Sequence, residues 1–368
     1  MFPRRTVDAV LGEALLPTLR TARCVRTRGD DACRACELAC PHQALWLDTR
    51  GSWHLDEGRC DGCGVCASAC PSQAVDAPGI DGGALLRAWR AGERVTLGCA
   101  RNDAPATVRL PCLAGLHPER LATLLLRYPD TPVVLDLSAC GSCPAGALGP
   151  TIEANARQAR DFAQRAGAIC DVRVARAAAP TAERVLDRRS FFRVARARTT
   201  AFVASRLAED DAVRASATLP HRAALLAAVR ERCSNAEAEA PSLPVSGAWF
   251  VDWDVADTCD GCAGGPRLRC VQACPNDAWR VASAREDGVL THDAAACSGC
   301  GACQRACPRG ALTARPAPIM ADAGRLDKRR IPRPRCRACR QARAIGDDGL
   351  CRHCRTLRTL SERIRPGA

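Results

Sequence analysis

The pattern of apolar and polar positions is clearest in the middle of the chain, between residues 95 and 176. Three short apolar runs rich in β-branched residues, VTLGC, VRLPC and PVVLDLSAC, are typical of buried strands. Two longer segments, HPERLATLLLRYP and TIEANARQARDFAQRAG, have helical periodicity, and CDVRVAR predicts a further strand. Strands that alternate with helices predict a small parallel sheet covered by helices.

The segments on either side of this region predict a different architecture. HQALWLD at 42–48 and NDAWRVAS at 276–283 each follow a Cys-Pro pair, and each predicts a helical turn that leads into a strand. Residues 181–240 predict a helical connector, and EAEAPSLPVSG at 237–247 predicts a linker. We therefore expect an α+β multidomain fold. Its expected boundaries are 1–80, 90–180, 181–245, 246–315 and 316–368.

The cysteine content changes the picture most, because 26 of the 368 residues are cysteine. Such a density indicates either disulfides or metal ligation, and disulfide-dense domains are typically short and secreted. Asp8 and Glu13 interrupt the apolar stretch that a secretion signal would place after Arg4 and Arg5, although a twin-arginine signal is the alternative interpretation. No apolar run approaches the roughly 20 residues of a membrane span. We expect a cytoplasmic protein with reduced, metal-binding thiols.

One spacing of these cysteines occurs twice, as CDGCGVCASACP at 60–71 and CSGCGACQRACP at 297–308. Thiolates are soft ligands suited to iron–sulfur clusters and zinc. A tight loop can direct the first three sulfurs of each run at one cluster, and Gly62 and Gly64 suit the backbone that such a loop needs. A structural zinc site is the alternative for these quartets.

A second quartet precedes the first run, with Cys24-x8-Cys33-x2-Cys36-x3-Cys40-Pro41, and the whole stretch of about 20–76 resembles the bacterial two-cluster ferredoxins. In that family the fourth cysteine of each run ligates the other cluster. The resemblance implies two 4Fe–4S clusters, although the eight residues between Cys24 and Cys33 depart from the family pattern. Set 1 comprises Cys24, Cys33, Cys36 and Cys70, and set 2 comprises Cys60, Cys63, Cys66 and Cys40.

The same plan recurs in the second half of the chain, where Cys259-x2-Cys262-x7-Cys270-x3-Cys274-Pro275 precedes the run at 297–308. The resemblance implies two more 4Fe–4S clusters by the same exchange of fourth ligands. Set 3 comprises Cys259, Cys262, Cys270 and Cys307, and set 4 comprises Cys297, Cys300, Cys303 and Cys274.

Four cysteines of the middle region follow the predicted strands. Cys99, Cys112 and Cys140 each lie at the carboxyl end of a strand, and Cys143 follows at CxxC spacing. Strand ends on one edge of a parallel sheet form a ligand-binding crevice. The arrangement resembles the iron–sulfur subunit associated with hydrogenases and heterodisulfide reductases, which implies a fifth iron–sulfur cluster on this middle set. A two-iron cluster, zinc and unligated thiols are the alternatives.

The last 60 residues combine a basic charge with two CxxC pairs. Residues 309–368 contain 16 Lys/Arg and 5 Asp/Glu, which accounts for +11 of the net charge of +13. Four thiolates at this spacing predict a zinc ribbon, with rubredoxin-type iron as the alternative and His353 as a bystander. Nucleic acid is one candidate partner for the basic tail, but no aromatic residue is present for base stacking, and an acidic protein is the other. The predicted zinc ligands are Cys336, Cys339, Cys351 and Cys354.

The function that these patterns favour is electron transfer, because the sequence contains no Gly-rich dinucleotide loop, phosphate loop or Ser/His/Asp set. We expect a soluble subunit or partner of a larger redox enzyme, of the formate dehydrogenase or hydrogenase type. The alternatives are a redox- or iron-sensing or assembly factor whose basic ribbon contacts nucleic acid or a client protein, and an enzyme whose middle site has an open iron position.

Overall fold

The computed structural model describes most of the chain, with gaps at both ends, in the connector and in several loops. The described residues are 16–48, 51–77, 82–92, 94–102, 104–176, 219–234, 243–244, 249–262, 268–283, 287–319, 325–332, 335–340 and 348–364. Within these ranges no helix is both long enough and apolar enough to cross a bilayer. The chain divides into unit 1, residues 1–27 and 32–245, and unit 2, residues 28–31 and 246–368.

Unit 1 contains the first ferredoxin-like module (module 1) and the middle α/β region. Its strands are β1 Thr18–Leu19, β2 Leu45–Leu47, β3 Trp53–Leu55, β4 Val75–Asp76, β5 Val95–Cys99, β6 Val108–Leu110, β7 Val133–Asp136, β8 Val172–Ala175 and β9 Leu243–Pro244. Its helices are α1 Ala35–Ala39, α2 Val65–Ala69, α3 Gly82–Ala91, α4 Pro118–Arg127, α5 Gly149–Arg165 and α6 Pro220–Ser234.

Module 1 is built from two antiparallel strand pairs around a small core. β1 pairs with β4, and β2 pairs with β3 so that Leu45 lies opposite Leu55. Leu45, Ala74 and Val75 are buried together with the thiols of Cys66 and Cys70. The apolar contacts that hold the module together therefore include the cysteines themselves.

The middle region contains a parallel four-stranded sheet in the order β6-β5-β7-β8. Val95, Leu97 and Val133 have no more than 1% exposure, since helices cover this sheet. The apolar stripe of α4 is buried through Leu121 and Leu125, and a buried stripe at helical spacing is what fixes such a helix on a core. The sheet agrees with the alternation of strands and helices in the sequence.

Helices α4 and α6 pack against each other and are joined by a buried ion pair. Arg222, 1% exposed, donates to Oε1 of Glu119 over 2.7 Å from Nη2. Glu119 also accepts from Gln73, three residues after Cys70. This polar network links α6 to the Cys-Pro loop of module 1 within unit 1.

Unit 2 contains the second ferredoxin-like module (module 2) and the tail. Its strands are β10 Val251–Val255, β11 Trp279–Ser283, β12 Asp287–His292, β13 Leu312–Pro316, β14 Pro318–Ile319 and β15 Leu326–Pro332. Its helices are α7 Arg269–Ala273, α8 Ala302–Arg305 and α9 Arg352–Ile364. β10 pairs with β13, and β11, β12 and β15 form an antiparallel sheet.

Some structural elements cross the expected domain boundaries. β15 lies beyond residue 316, yet its backbone is hydrogen-bonded to β12, so module 2 extends to Pro332. Module 1 and the α/β region both lie in unit 1. The helical turn expected after each Cys-Pro pair lies before it, as α1 and α7, and a plain turn follows. Residues 177–218 of the expected connector lie outside the described residues.

Candidate metal centres

Each of the four Cys-Pro loops has the same local geometry. The sulfurs of Cys40, Cys70, Cys274 and Cys307 accept backbone N–H groups of Ala44, Ala74, Ala278 and Ala311, four residues later, over 3.2–3.4 Å. The residue before each alanine has a positive φ of 50–57°, which turns the chain back toward the sulfur. A backbone N–H that points at a thiolate stabilises its negative charge. The shared sequence signal is Cys-Pro-x-x-Ala, which occurs at all four positions.

The structure brings the cysteines of set 1 together, including the one with irregular spacing. Burial is the main cause that raises the pKa of the Cys36 thiol to about 12, and Cys70, Cys33 and Cys24 contribute to that rise. Cys70 therefore lies with the cysteines of the other run. The eight-residue spacer accommodates Cys24 through short 3₁₀ turns at Thr21–Arg23 and Arg26–Arg28.

Set 2 is assembled around the tight loop at 60–66. Burial is the main cause that raises the pKa of Cys66 to about 12, and the nearby Cys60, Cys36 and Cys40 contribute to that rise. Gly62 and Gly64 have φ of 70° and 75°, a region that glycine adopts without steric cost. Gly64 then begins α2 as its N-terminal cap.

Sets 3 and 4 repeat these relationships in unit 2. The four cysteines of set 3 line one pocket. Burial is the main cause that raises the pKa of Cys270 to about 12, and Cys262, Cys259 and Cys307 contribute to that rise. For Cys303 of set 4, burial again raises the pKa most, and Cys297, Cys300 and Cys274 add to the effect. Gly299 and Gly301 have φ of 68° and 73°, as in module 1.

The middle set converges at the edge of the parallel sheet. Cys99 ends β5, Cys112 follows β6, and Cys140 begins a 3₁₀ turn after β7 that leads to Cys143. All four residues line one pocket. Burial is the main cause that raises the pKa of Cys112 to about 11, and Cys99, Cys140 and Cys143 contribute to that rise.

This pocket also adjoins set 2. Cys63 and Asp61 line it, and Cys112 is among the groups that raise the pKa of Cys63, after burial. Arg101 donates from Nη2 to Oδ2 of Asp61 over 3.0 Å, and its Nη1 lies 3.6 Å from Sγ of Cys143. Burial opposes ionisation of Asp61, but the hydrogen bond from His42 and the charge of Arg101 outweigh it and lower the pKa of Asp61.

The tail set has a tighter geometry than the other five. Among the described residues it is the one group of three or more potential ligands whose ligand atoms all lie within 4.8 Å of one another. Sγ of Cys339 lies 3.9 Å from Sγ of Cys351. A regular tetrahedron with Zn–S bonds of about 2.3 Å places its sulfurs about 3.8 Å apart. The tail cysteines thus fit a single ion, whereas the wider sets fit a larger multinuclear group.

Buried indole N–H groups provide a separate test of whether the cysteine sets fit an iron–sulfur cluster. In the two ferredoxin-like modules, three tryptophans have a buried indole Nε1 with no hydrogen-bond partner among the described residues: Trp53, Trp253 and Trp279. Trp253 and Trp279 belong to the same core as Cys274, Cys297 and Cys303. Buried polar groups normally form hydrogen bonds. These N–H groups therefore suit an acceptor at the cysteine set, and the sulfur atoms of an iron–sulfur cluster would be such acceptors.

Comparison with known proteins agrees with this geometry. Residues 31–74 and 258–311 match the 4Fe–4S dicluster domain family. Both ferredoxin-like modules are 4Fe–4S dicluster regions. The first match begins after Cys24, the ligand with irregular spacing, whereas the second includes all eight cysteines of sets 3 and 4.

Individual relatives are subunits of a reductase and of a dehydrogenase, and a polyferredoxin. The chain is 40% identical over 67 residues to the adenylylsulfate reductase subunit beta of Megalodesulfovibrio gigas, covering 18% of this chain and 38% of that subunit. It is 40% identical over 70 residues to the formate dehydrogenase iron-sulfur subunit of Wolinella succinogenes, covering 19% and 32%. It is 35% identical over 86 residues to the polyferredoxin protein MvhB of Methanothermus fervidus, covering 22% and 19%. The chain thus spans about a third of the length of the first two relatives.

Sequence analysis missed the polar groups that connect the sites. Arg101 was not singled out, because nothing in the local pattern shows that it reaches Asp61, 40 residues earlier. The indoles of Trp253 and Trp279 were missed for the same reason. The repeated Cys-Pro-x-x-Ala signal was available and points to the N–H···S contacts.

Proposed function

We propose that this chain is a multi-cluster electron-transfer protein that acts as a subunit or partner of a larger redox enzyme. Sets 1 to 4 would hold four 4Fe–4S clusters, the middle set a fifth cluster, and the tail set a structural zinc ion. The observation that carries the proposal is that Cys63 of set 2 lines the same pocket as the four cysteines of the middle set. Adjoining redox centres are what a carrier needs, whereas a structural site gains nothing from them.

The middle set supports a cluster better than a single zinc ion. Its four sulfurs surround one pocket, yet they do not close to the spacing found in the tail. Arg101 places a positive charge beside Cys143, and such a charge offsets the negative charge that thiolates and an iron–sulfur cluster bring into a buried site. When bound, a cluster would supply one-electron chemistry at a potential set by its surroundings.

The partner is proposed as a redox protein. The relatives named above are subunits of an adenylylsulfate reductase and of a formate dehydrogenase, and a polyferredoxin. A formate dehydrogenase or hydrogenase type of complex therefore remains our proposal for this chain. For the basic tail we propose an acidic protein surface as partner in preference to nucleic acid, because the tail offers charge without aromatic residues.

The experiment that tests the function is a reductive titration of anaerobically prepared full-length protein, followed by reoxidation. Five 4Fe–4S clusters predict uptake of about five electrons per chain and full recovery of the visible spectrum. Clusters that degrade irreversibly on mild oxidation would favour a sensor and contradict the carrier. No electron uptake would overturn the proposal altogether.

A matched pair of variants tests the fifth cluster. Cys112→Ser removes a thiol of the middle set and is expected to reduce the iron content by about four atoms per chain. Cys170→Ser is the control, because Cys170 is a buried thiol that belongs to none of the sets. Unchanged iron in Cys112→Ser would show that the middle set holds no cluster.

A further inference from the structure

The last helix of the chain, α9, begins inside the second CxxC pair of the tail. It starts at Arg352, between Cys351 and Cys354, and ends at Ile364. Every residue from Arg355 to Ser361 is exposed to solvent. A helix of this length is only marginally stable in water when nothing packs on it. The four-cysteine group therefore anchors one end of α9, and the described residues leave the turns that follow uncovered.

Two leucines form an apolar stripe along α9. Leu357 and Leu360 are 51% and 47% exposed, and residues three apart are neighbours on a helix surface. His353, which is exposed as well, lies four residues before Leu357 and extends the stripe toward the cysteine group. A single exposed leucine is common on a protein surface. An aligned pair on an otherwise polar helix is instead the pattern of a helix that binds in a groove.

The charges around the four-cysteine group are almost all positive. In the segments 335–340 and 348–361 six arginines are exposed, and the one acidic residue there, Asp348, pairs with Arg355 over 2.8 Å. The sulfur atoms of both segments converge within 4.8 Å, which groups these arginines around one point. Such a surface attracts an acidic partner and repels a second copy of itself. The six arginines are Arg335, Arg337, Arg340, Arg352, Arg355 and Arg358.

The leucines and the arginines lie on different sides of α9. Arg355 precedes Leu357 by two residues, and Arg358 precedes Leu360 by two residues. At 3.6 residues per turn, positions two apart point away from each other. A flat surface, such as a membrane, therefore meets one of these sides and leaves the other in water. A partner that encloses the helix contacts both sides.

Two kinds of partner can enclose a helix, and the stripe distinguishes them. The major groove of DNA is wide enough for a helix, but its floor presents the hydrogen-bonding edges of the bases. That floor would leave Leu357 and Leu360 largely without apolar contacts. A groove on a protein combines an apolar floor with charged walls, and apolar anchors at helical spacing are how helices bind such grooves. The leucine stripe and the arginines together therefore fit an acidic protein groove.

We propose that α9 is a docking helix for the redox partner of this chain. Leu357 and Leu360 enter an apolar groove of the partner protein, and the exposed arginines of the tail bind carboxylates on the walls of that groove. The four-cysteine group holds the helix at its start and presents it to the partner. The identity of the partner as a redox protein rests on the proposed function, and the docking element is the new inference.

Photo-crosslinking of the full-length protein in its native cells identifies the partner. The photoreactive amino acid p-benzoylphenylalanine is introduced in place of Thr356, which is exposed and lies one turn before Leu360. We expect a cross-link to an identified subunit of a redox enzyme, at an apolar groove rich in Asp and Glu. A cross-link to a second copy of the chain or to any other class of molecule, or no cross-link, would overturn the proposal.

Binding of the purified subunit to leucine variants tests the apolar part of the contact. Leu357→Ser and Leu360→Ser are each expected to raise the Kd about tenfold or more, because each removes an apolar anchor at the centre of the contact. Leu326→Ser is the matched control, since Leu326 is 50% exposed in the same unit but lies on β15. Equal affinity in all three variants would show that α9 does not dock through its leucines.

Arginine variants test the electrostatic part. Arg352→Gln/Arg358→Gln should slow association at low salt and flatten its dependence on ionic strength, because charges at the edge of a contact act mainly on the association rate. Arg280→Gln is the control, since Arg280 is exposed in module 2 but lies outside the tail. An association rate that is the same in both variants would contradict acidic walls.

Vesicles of phosphatidylcholine and phosphatidylserine and a short DNA duplex are the probes for the other anionic surfaces. Binding to either that is lost in Leu357→Ser and Leu360→Ser would overturn the choice of a protein groove. Wild-type metal content in each variant shows that the tail set is intact. Reductive titration of the same samples separates the two proposals: wild-type protein without reducible clusters contradicts the proposed function, whereas normal reduction with unchanged binding in the leucine variants contradicts the docking helix.

Discussion

Arg101, just after strand β5, donates to the Asp61 carboxylate over 3.0 Å while its other amino group lies 3.6 Å from Sγ of Cys143. One guanidinium thus contacts the loop of set 2 and a cysteine of the middle set. Asp61 is in turn held by His42 from the Cys-Pro loop after Cys40. The contact fixes the two candidate redox sites of unit 1 beside each other and neutralises the charge between them.

Replacing this guanidinium should change the redox chemistry of both sites. Arg101→Gln removes a positive charge and leaves the Asp61 carboxylate uncompensated, so the reduction potentials of the clusters on either side should fall by on the order of 50 mV. Potentiometric EPR titration measures the change. Arg101→Lys keeps the charge and should recover most of the loss; equal shifts in the two variants would show that charge is not the cause.

The buried ion pair between α4 and α6 should contribute far more to stability than the exposed ion pair on the same two helices. Glu119→Gln leaves the Arg222 charge buried without its partner, and we expect a loss of about 3–5 kcal/mol in the stability of the α6 contact. Glu231→Gln breaks the pair with Arg127, where Glu231 is 56% exposed, and should cost about 1 kcal/mol or less. Hydrogen exchange of the α6 amides measures the loss in each variant. Similar protection in Glu119→Gln and Glu231→Gln would contradict the larger contribution of the buried pair.

Acidification should weaken module 2 through His292. This side chain is 0% exposed, lies 3.2 Å from Asp252 through Nδ1, and packs against the Trp279 ring in a tilted arrangement. Burial lowers the pKa of His292 to about 4, with the charge of Lys328 acting in the same direction and Asp252 opposing. The folded pKa lies below the unfolded value of about 6.5, so the unfolded chain binds more protons between these values. Stability is therefore present above pH 6.5 and is lost, by up to about 3 kcal/mol, as the pH falls toward 4.

The measurement for this prediction is the thermal midpoint at pH 7 and at pH 4.5. His292→Gln cannot take up the proton and should lose less stability on acidification than the wild type. His54→Gln is the control, because His54 is 44% exposed beside Asp48. A wild-type pH dependence that persists unchanged in His292→Gln would show that other groups cause it.

The tail set should bind zinc independently of the iron–sulfur sites. Cys339→Ser opens the four-cysteine group, and we expect loss of about one zinc per chain with no change in iron. His353→Ala should retain the zinc, since the four thiols already complete the tetrahedron and His353 is exposed. Metal analysis by mass spectrometry measures both elements; retention of zinc in Cys339→Ser, or its loss in His353→Ala, would contradict the ligand set.

The parts of the structure that the sequence predicts are those with local signals. Cysteines two or three residues apart are brought together by a single loop, so their grouping follows from spacing, and β5 and α4 follow from periodicity. Even the placement of Cys70 beside Cys36 follows once two runs are recognised as partners.

The remaining features depend on contacts between distant segments. Trp253 on β10 belongs to the same buried core as Cys297, 44 residues later, and β15 extends the module 2 sheet from beyond its last cysteine. Asp61 and Ser298 occupy the same place in the run, and only the folded structure shows that each bonds to the loop after a Cys-Pro pair. Spacing therefore predicts which thiols form a site, and packing determines how one site differs from another.

Iron and acid-labile sulfide analysis of anaerobically prepared full-length protein tests the central claim most directly. Five 4Fe–4S clusters predict about 20 iron atoms and about 20 sulfides per chain, together with about one zinc. About 16 of each would restrict the clusters to the two ferredoxin-like modules. Protein without iron and sulfide, with its cysteines paired as disulfides or loaded with zinc alone, would contradict the account.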